Sequence, residues 1–140
     1  MSATNTQFSV GVHVMTALAH HVDRNLISQD LVASVNAQPA VVRKVLSKLA
    51  KAGLVKTTRG KNGNTALAKP AGKITLLDIY RATQAPGVFA VHNYPVEEAC
   101  VISRSHKEIM REALAGSQNA FETHLASKSL AQLNSRISRS

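Results

Sequence analysis

The segment PAVVRKVLSKLAKAG, residues 39–53, restricts the possible folds more than any other part of the chain. Its apolar residues Val42, Val45, Leu46 and Leu49 stand at i, i+3, i+4 and i+7, which is one face of a helix. The other positions hold Arg43, Lys44, Ser47, Lys48 and Lys51, with no acid among them. Pro39 suits the first position of a helix, and Gly53 suits the left-handed residue that ends one. Such a helix must bury one side against neighbouring elements and leave the other side cationic.

The surrounding charge follows the same pattern. The 140 residues carry a net charge of +9. Residues 1–73 hold ten Lys and Arg against two acids, Asp23 and Asp30, whereas residues 74–140 hold seven against six. From Leu31 to Leu77 there is no acid in 47 consecutive positions. A one-signed block beside a balanced one points to a polyanion-binding part and a part with another task. Solubility alone does not require acids to be cleared from so long a run.

Local signals give the order of elements. Phe8, Val12, Met15, Ala19 and Val22 predict a first helix, with Asn5 or Thr6 as its cap. A short helix follows, with Ser28 as N-cap, Asp30 in its first turn and Leu31, Val32 and Val35 as its buried face. Asn36-Ala37-Gln38 makes a tight turn into the basic helix. Two short strands, Leu54–Thr57 and Thr65–Ala68, flank a Gly- and Asn-containing hairpin tip. Thr75 with Asp78 is a capping box opening TLLDIYRATQA, which Pro86 and Gly87 end. A loop from Val88 to about Ala99 leads to a long helix over about Ser103–Ala126. Ser129 with Gln132 caps a short last helix.

Helix, short helix, tight turn, basic helix and basic hairpin is the order of a winged helix-turn-helix. The expected fold is mainly α with a small β-wing, plus a long C-terminal helix for dimerisation. Two helices bury the apolar stripe of the third, whose outer face is then free to enter a major groove. Gln38, Ala40 and Arg43, in its first turns, are the candidates for base contact: Gln to adenine, Ala to the thymine methyl, Arg to guanine. Lys44, Ser47 and Lys48 are candidate phosphate partners, with Ser28 at the start of the preceding helix. Arg59, Lys61, Asn62 and Asn64 are the wing candidates, suited to the backbone or an adjacent minor groove.

These same residues resemble a known family. KLAKAGLVKTTRG, the wing GKNGNTALAKP, ITLLDIYRATQ and FETHLASKSLAQL are similar to the IscR/NsrR/CymR-like bacterial winged-helix regulators, over nearly the whole chain. The resemblance implies a homodimer paired through its long C-terminal helices and bound to palindromic double-stranded promoter DNA, usually as a repressor. It implies that Arg59 is the wing arginine and that Gln38, Ala40 and Arg43 are the base-reading face. Many relatives hold an iron–sulfur cluster on three closely spaced cysteines. Here Cys100 alone matches the last of them, and Ser103 stands three residues after it where those relatives have histidine. One thiolate does not hold a cluster, so no cofactor is expected.

The last third completes the expectations. Ile102, Ile109, Met110, Ala113, Leu114, Phe121 and Leu125 recur at helical steps and are the predicted dimerisation face. A dimer sets two recognition helices about one DNA turn apart, ~34 Å. Cys100 lies just before the long helix, a placement that raises thiol reactivity, and is the candidate redox sensor. Phe89, His92 and Tyr94 are the candidate lining of a small-ligand pocket. His92 and His106 flank Cys100 at spacings too loose for a zinc site, so no metal is expected. The regions are read as 1–85 for DNA binding, 86–102 as connecting loop with the sensor, and 103–140 as dimerisation helix with a terminal helix. A lone cysteine permits no internal disulfide, and no secretory or membrane-spanning stretch is evident, so the cytoplasm is the expected compartment. No nucleophile–base pair, phosphate loop or dinucleotide fingerprint is present, so an enzyme is not expected. The alternative function is a winged-helix adaptor or non-specific architectural nucleic-acid-binding protein. The sequence names no effector.

Overall fold

The computed structural model describes residues 5–58 and 64–137. In chain order these form α1 (Gln7–His20), α2 (Ser28–Val35), α3 (Pro39–Lys51), β1 (Val55–Thr57) and β2 (Thr65–Leu67). A 3₁₀ turn (Ala71–Lys73), α4 (Leu76–Ala82), α5 (Val101–Ala126) and α6 (Leu130–Asn134) follow.

The core forms where amphipathic faces meet. Val14, Met15, Leu18 and Ala19 of α1, Leu31 of α2 and Val42, Val45, Leu46 and Leu49 of α3 are buried together with Ile74, Ile79 and Leu130. The stripe read from the sequence of α3 is thus the stripe that is buried. Val22 is not part of the core: α1 stops at His20, and Val22 is 79% exposed beyond its last turn. Gly11 of α1 is buried against α4. A Cβ there would stand 2.8 Å from Cγ2 of Thr83 and 3.2 Å from Cγ2 of Ile79. Glycine at this position lets α1 and α4 come together.

The helix boundaries have identifiable causes. Gly53 takes a left-handed φ of 76° after α3, and Leu54 N–H then donates to Leu49 O at 3.0 Å. Gln84 does the same after α4 with φ 56°, and Ala85 N–H donates to Tyr80 O at 3.3 Å. That closure ends α4 at Ala82, earlier than Pro86 and Gly87 predicted. The N-cap of α2 is Ile27, not Ser28; the Asp30 carboxylate accepts from Ile27 N–H at 2.9 Å, which leaves Ser28 as the first helical residue. The Thr75–Asp78 and Ser129–Gln132 capping boxes both form.

β1 and β2 pair antiparallel, with Val55 opposite Leu67 and Thr57 opposite Thr65. Leu26 adds a further bridge, accepting from Thr65 N–H at 2.7 Å, so the segment before α2 anchors the base of the wing. The last helix returns to the winged-helix body. Leu130 N–H donates to Ile74 O at 2.8 Å, Leu76 N–H to Lys128 O at 2.9 Å, and the Leu130 side chain is fully buried. Residues after Leu125 therefore close the core of the N-terminal part, although the sequence groups them with the dimerisation helix. Leu130→Ala is expected to lower stability by about 2–5 kcal/mol in denaturant unfolding. A loss below about 1 kcal/mol would remove α6 from the core.

Candidate nucleic-acid interface

Burying the stripe of α3 fixes which of its residues face outward. Gln38, at the N-cap, Ala40, Arg43, Lys44 and Ser47 are all exposed. Ser28 is exposed at the first turn of α2, which packs on α3. Gln38, Ala40, Arg43, Lys44 and Ser47 belong to the acid-free run; Ser28 precedes it, with Asp30 in the same first turn of α2. Arg59, Lys61 and Asn62 lie outside the described residues.

Two expected phosphate or wing partners, Lys48 and Asn64, also bond within their own chain. Lys48 is half-buried, and its ammonium donates to Gln7 Oε1 at 2.6 Å and to the Thr83 carbonyl at 3.3 Å. It ties α3 to the start of α1 and the end of α4. Asn64 is also half-buried: its backbone N–H donates to Thr58 Oγ1 at 3.0 Å, and its side-chain amide donates to Asn25 Oδ1 at 3.0 Å. It closes the foot of the hairpin. Both are polar residues whose tertiary partners cannot be read from local sequence.

The structure also adds to the basic surface. Lys44, Lys48 and Lys51 share one side of α3 and, with Arg81 of α4, border a cleft of about 500 Å³. Arg81 also lies 3.4 Å from Glu122 of α5. The i, i+4, i+7 spacing of the three lysines was the available signal for Lys51; nothing in the sequence placed Arg81 beside them.

The expected dimerisation face is divided. Ile102 and Ile109 are 72% and 61% exposed, and Ala113 is exposed. Met110, Leu114 and Phe121 are half-buried, Phe121 with its ring edge-on to Tyr80 at 5.4 Å. Leu125 is buried within its own chain and does not belong to an outward face. Cys100 is the half-buried N-cap of α5, and its sulfur accepts from Ser103 N–H at 3.5 Å. Phe89 and His92 line a second cleft, of about 450 Å³, between the 87–93 loop and α5. Tyr94 is beside that cleft rather than in its wall, stacked on His92 at 4.5 Å.

The sequence profile of the Rrf2 family, described as an iron-dependent transcriptional regulator, matches residues 4–136. YwnA of Bacillus subtilis (strain 168), whose name describes an HTH-type transcriptional regulator, is 34% identical over 127 residues, covering 90% of this chain and 92% of that protein. A solved transcriptional-regulator structure from Lactobacillus plantarum superposes with a TM-score of 0.80 at 25% identity, over 93% of this chain and 88% of the other. CymR, the global cysteine regulator of B. subtilis, shares the fold with a TM-score of 0.72 at 24% identity, over 99% and 100% of the two chains. The residues here do not fit an iron–sulfur cluster held by one chain: there is a single cysteine, and the described residues include no group of three or more His, Cys, Asp or Glu able to hold a metal ion. No helix of the described residues is long and apolar enough to cross a membrane. With a profile matched along nearly its full length, a winged-helix fold and a regulator as near relative, the chain belongs to the Rrf2 family and is a DNA-binding transcriptional regulator, not an enzyme.

Proposed function

We propose that this regulator is a homodimeric repressor that reads a palindromic promoter site with α3 and pairs through α5. The observation that carries this reading is the outer face of α3: base-capable Gln38, Ala40 and Arg43 stand beside Lys44 and Ser47, all exposed, in a run without acids. Arg43 and Gln38 read base edges, while Lys44, Ser47 and Ser28 hold the backbone. Arg59, Lys61 and Asn62 belong to the wing contact. Ile102 and Ile109 supply the centre of the dimer contact, flanked by Met110 and Ala113, because exposed apolar residues at a seven-residue step match an isologous helix pairing.

The test is selection of bound genomic fragments, followed by affinity measurements at several salt concentrations. Arg43→Ala should weaken the selected site by about 1–3 kcal/mol and relax its sequence preference. Lys44→Ala should weaken all sequences alike and reduce the salt slope by about 1. Equal affinity of the intact protein for selected and random DNA would overturn sequence reading and leave the architectural alternative.

The dimer is tested by sedimentation. Ile102→Glu/Ile109→Glu should convert a dimer to a folded monomer and reduce operator affinity by a factor of 100 or more, since the loss of one half-site removes multivalent binding worth roughly 10²–10⁴. Retention of a dimer by this variant would exclude the α5 pairing.

Cys100 is the proposed thiol sensor, because it caps α5 at the foot of the dimer helix. Peroxide should reduce DNA binding by the native protein and leave Cys100→Ser unaffected in a gel-shift titration. Equal loss in both proteins would remove the sensor role.

A further inference from the structure

The 83–100 connection is pinned to α5 at both ends. Near its start, Val88 N–H donates to Gln118 Oε1 at 2.9 Å. Near its end, the Tyr94 hydroxyl donates to the Ser103 carbonyl at 2.6 Å, and Glu97 N–H donates to Ser103 Oγ at 2.9 Å. The stretch between these attachments bridges the side of α5 and leaves the cleft of about 450 Å³ beneath it. That volume is within the range of small-molecule sites, roughly 300–1,000 Å³.

The chemistry of its wall is one-sided. Lys107 and Arg111, one helical turn apart, both border the cleft, His92 faces them from the loop, and no acid is among the lining residues. Glu108 and Glu112 are exposed on α5 and do not line it. Like charges at i, i+4 repel unless an anion neutralises them. Lys107 is held with its ammonium 4.6 Å from the centre of the Tyr94 ring, and Tyr94 is itself stacked on His92. Arg111 has no hydrogen-bond or ion-pair partner among the described residues. Leu114, Ala115 and Phe89 supply an apolar surface beside these cations.

We propose that this cleft binds a small organic acid, its carboxylate between Lys107 and Arg111 and its apolar body against Leu114, Ala115 and Phe89, and that occupancy adjusts DNA binding. The regulatory half rests on the reading of α3 as the DNA-contacting helix. The bonds that carry it begin at Gln118, which lines the cleft. Its Nε2 donates to the Tyr80 hydroxyl at 3.1 Å, and that hydroxyl donates to the Pro86 carbonyl at 2.5 Å. Tyr80 belongs to α4, with its ring edge-on to Phe8 of α1 and Phe121 of α5. Three residues on, the Thr83 carbonyl accepts from Lys48 of α3. A ligand that repositions Gln118 or the 87–93 stretch therefore acts on the joint between α4, α5 and the recognition helix.

Isothermal calorimetry of the full chain without DNA tests binding, with hexanoate and benzoate as probes and hexanamide and inorganic phosphate as controls. The acids should bind saturably, and the amide and phosphate at least about tenfold more weakly. Lys107→Ala/Arg111→Ala should weaken the acids by about tenfold or more while leaving the melting temperature and ligand-free DNA affinity unchanged. Absence of saturable binding by both acids, equal binding of the amide or of phosphate, or unchanged binding by the double variant would overturn the site. Because these measurements contain no DNA, their failure is distinct from a failure of sequence reading. In a second titration, saturating acid should shift the affinity of the native protein for the selected DNA by about fivefold or more, and the double variant's should not move. An unmoved native affinity would overturn the regulatory half.

Discussion

Burial of the apolar stripe of α3 is the constraint on which the rest of the structure depends. Val42, Val45, Leu46 and Leu49 go inward against α1 and α2, and that one choice turns Arg43, Lys44 and Ser47 outward. The hydrophobic effect acts on area and has no interest in the other face, which makes the orientation of the basic side chains a consequence of packing rather than of their own interactions. α1 reaches α3 and α4 closely because Gly11 has no side chain to hold them apart. The helix that presents the cationic surface is thereby set in a rigid frame, as a recognition element requires.

Within that frame, polar contacts between elements distinguish surface charge from structural charge. Lys48 belongs to the same basic helix as Lys44, yet its ammonium joins α1, α3 and α4 through Gln7 and Thr83. Asn64, at the wing, is taken up by Thr58 and Asn25. Lys48 is therefore held within its own chain, while Lys44 and Lys51 on the same side of α3 remain exposed.

α5 has two physical characters along its 26 residues. Its C-terminal part packs on α4 and ends with Leu125 in the core, while Val101, Ile102 and Ile109 near its N-terminal part are exposed apolar residues. Tyr80 stands where α1, α4 and α5 meet, with Phe8 and Phe121 edge-on to it. Aromatic pairs of this geometry contribute beyond their buried area, and they fix relative orientation. The long helix is thus joined to the winged-helix body near its C-terminal end, while Val101, Ile102 and Ile109 stay exposed near its start. The family is described as an iron-dependent regulator, and this chain carries a single cysteine, Cys100.

Periodicity, caps and charge by themselves determined the order of elements, the buried stripe of α3, the capping boxes at Thr75 and Ser129, and the acid-free block from Leu31 to Leu77. All of these are short-range properties, written within one or two helical turns. The return of α6 to the core, the burial of Leu125 and the structural duties of Lys48 and Asn64 were decided by tertiary structure alone. So was the union of Lys107 and Arg111 with the 87–93 loop, which precedes them in the chain. Each of these depends on a partner distant in sequence, and a side chain's alternation pattern records only that it can be buried or bonded, not which neighbour will be there to do it.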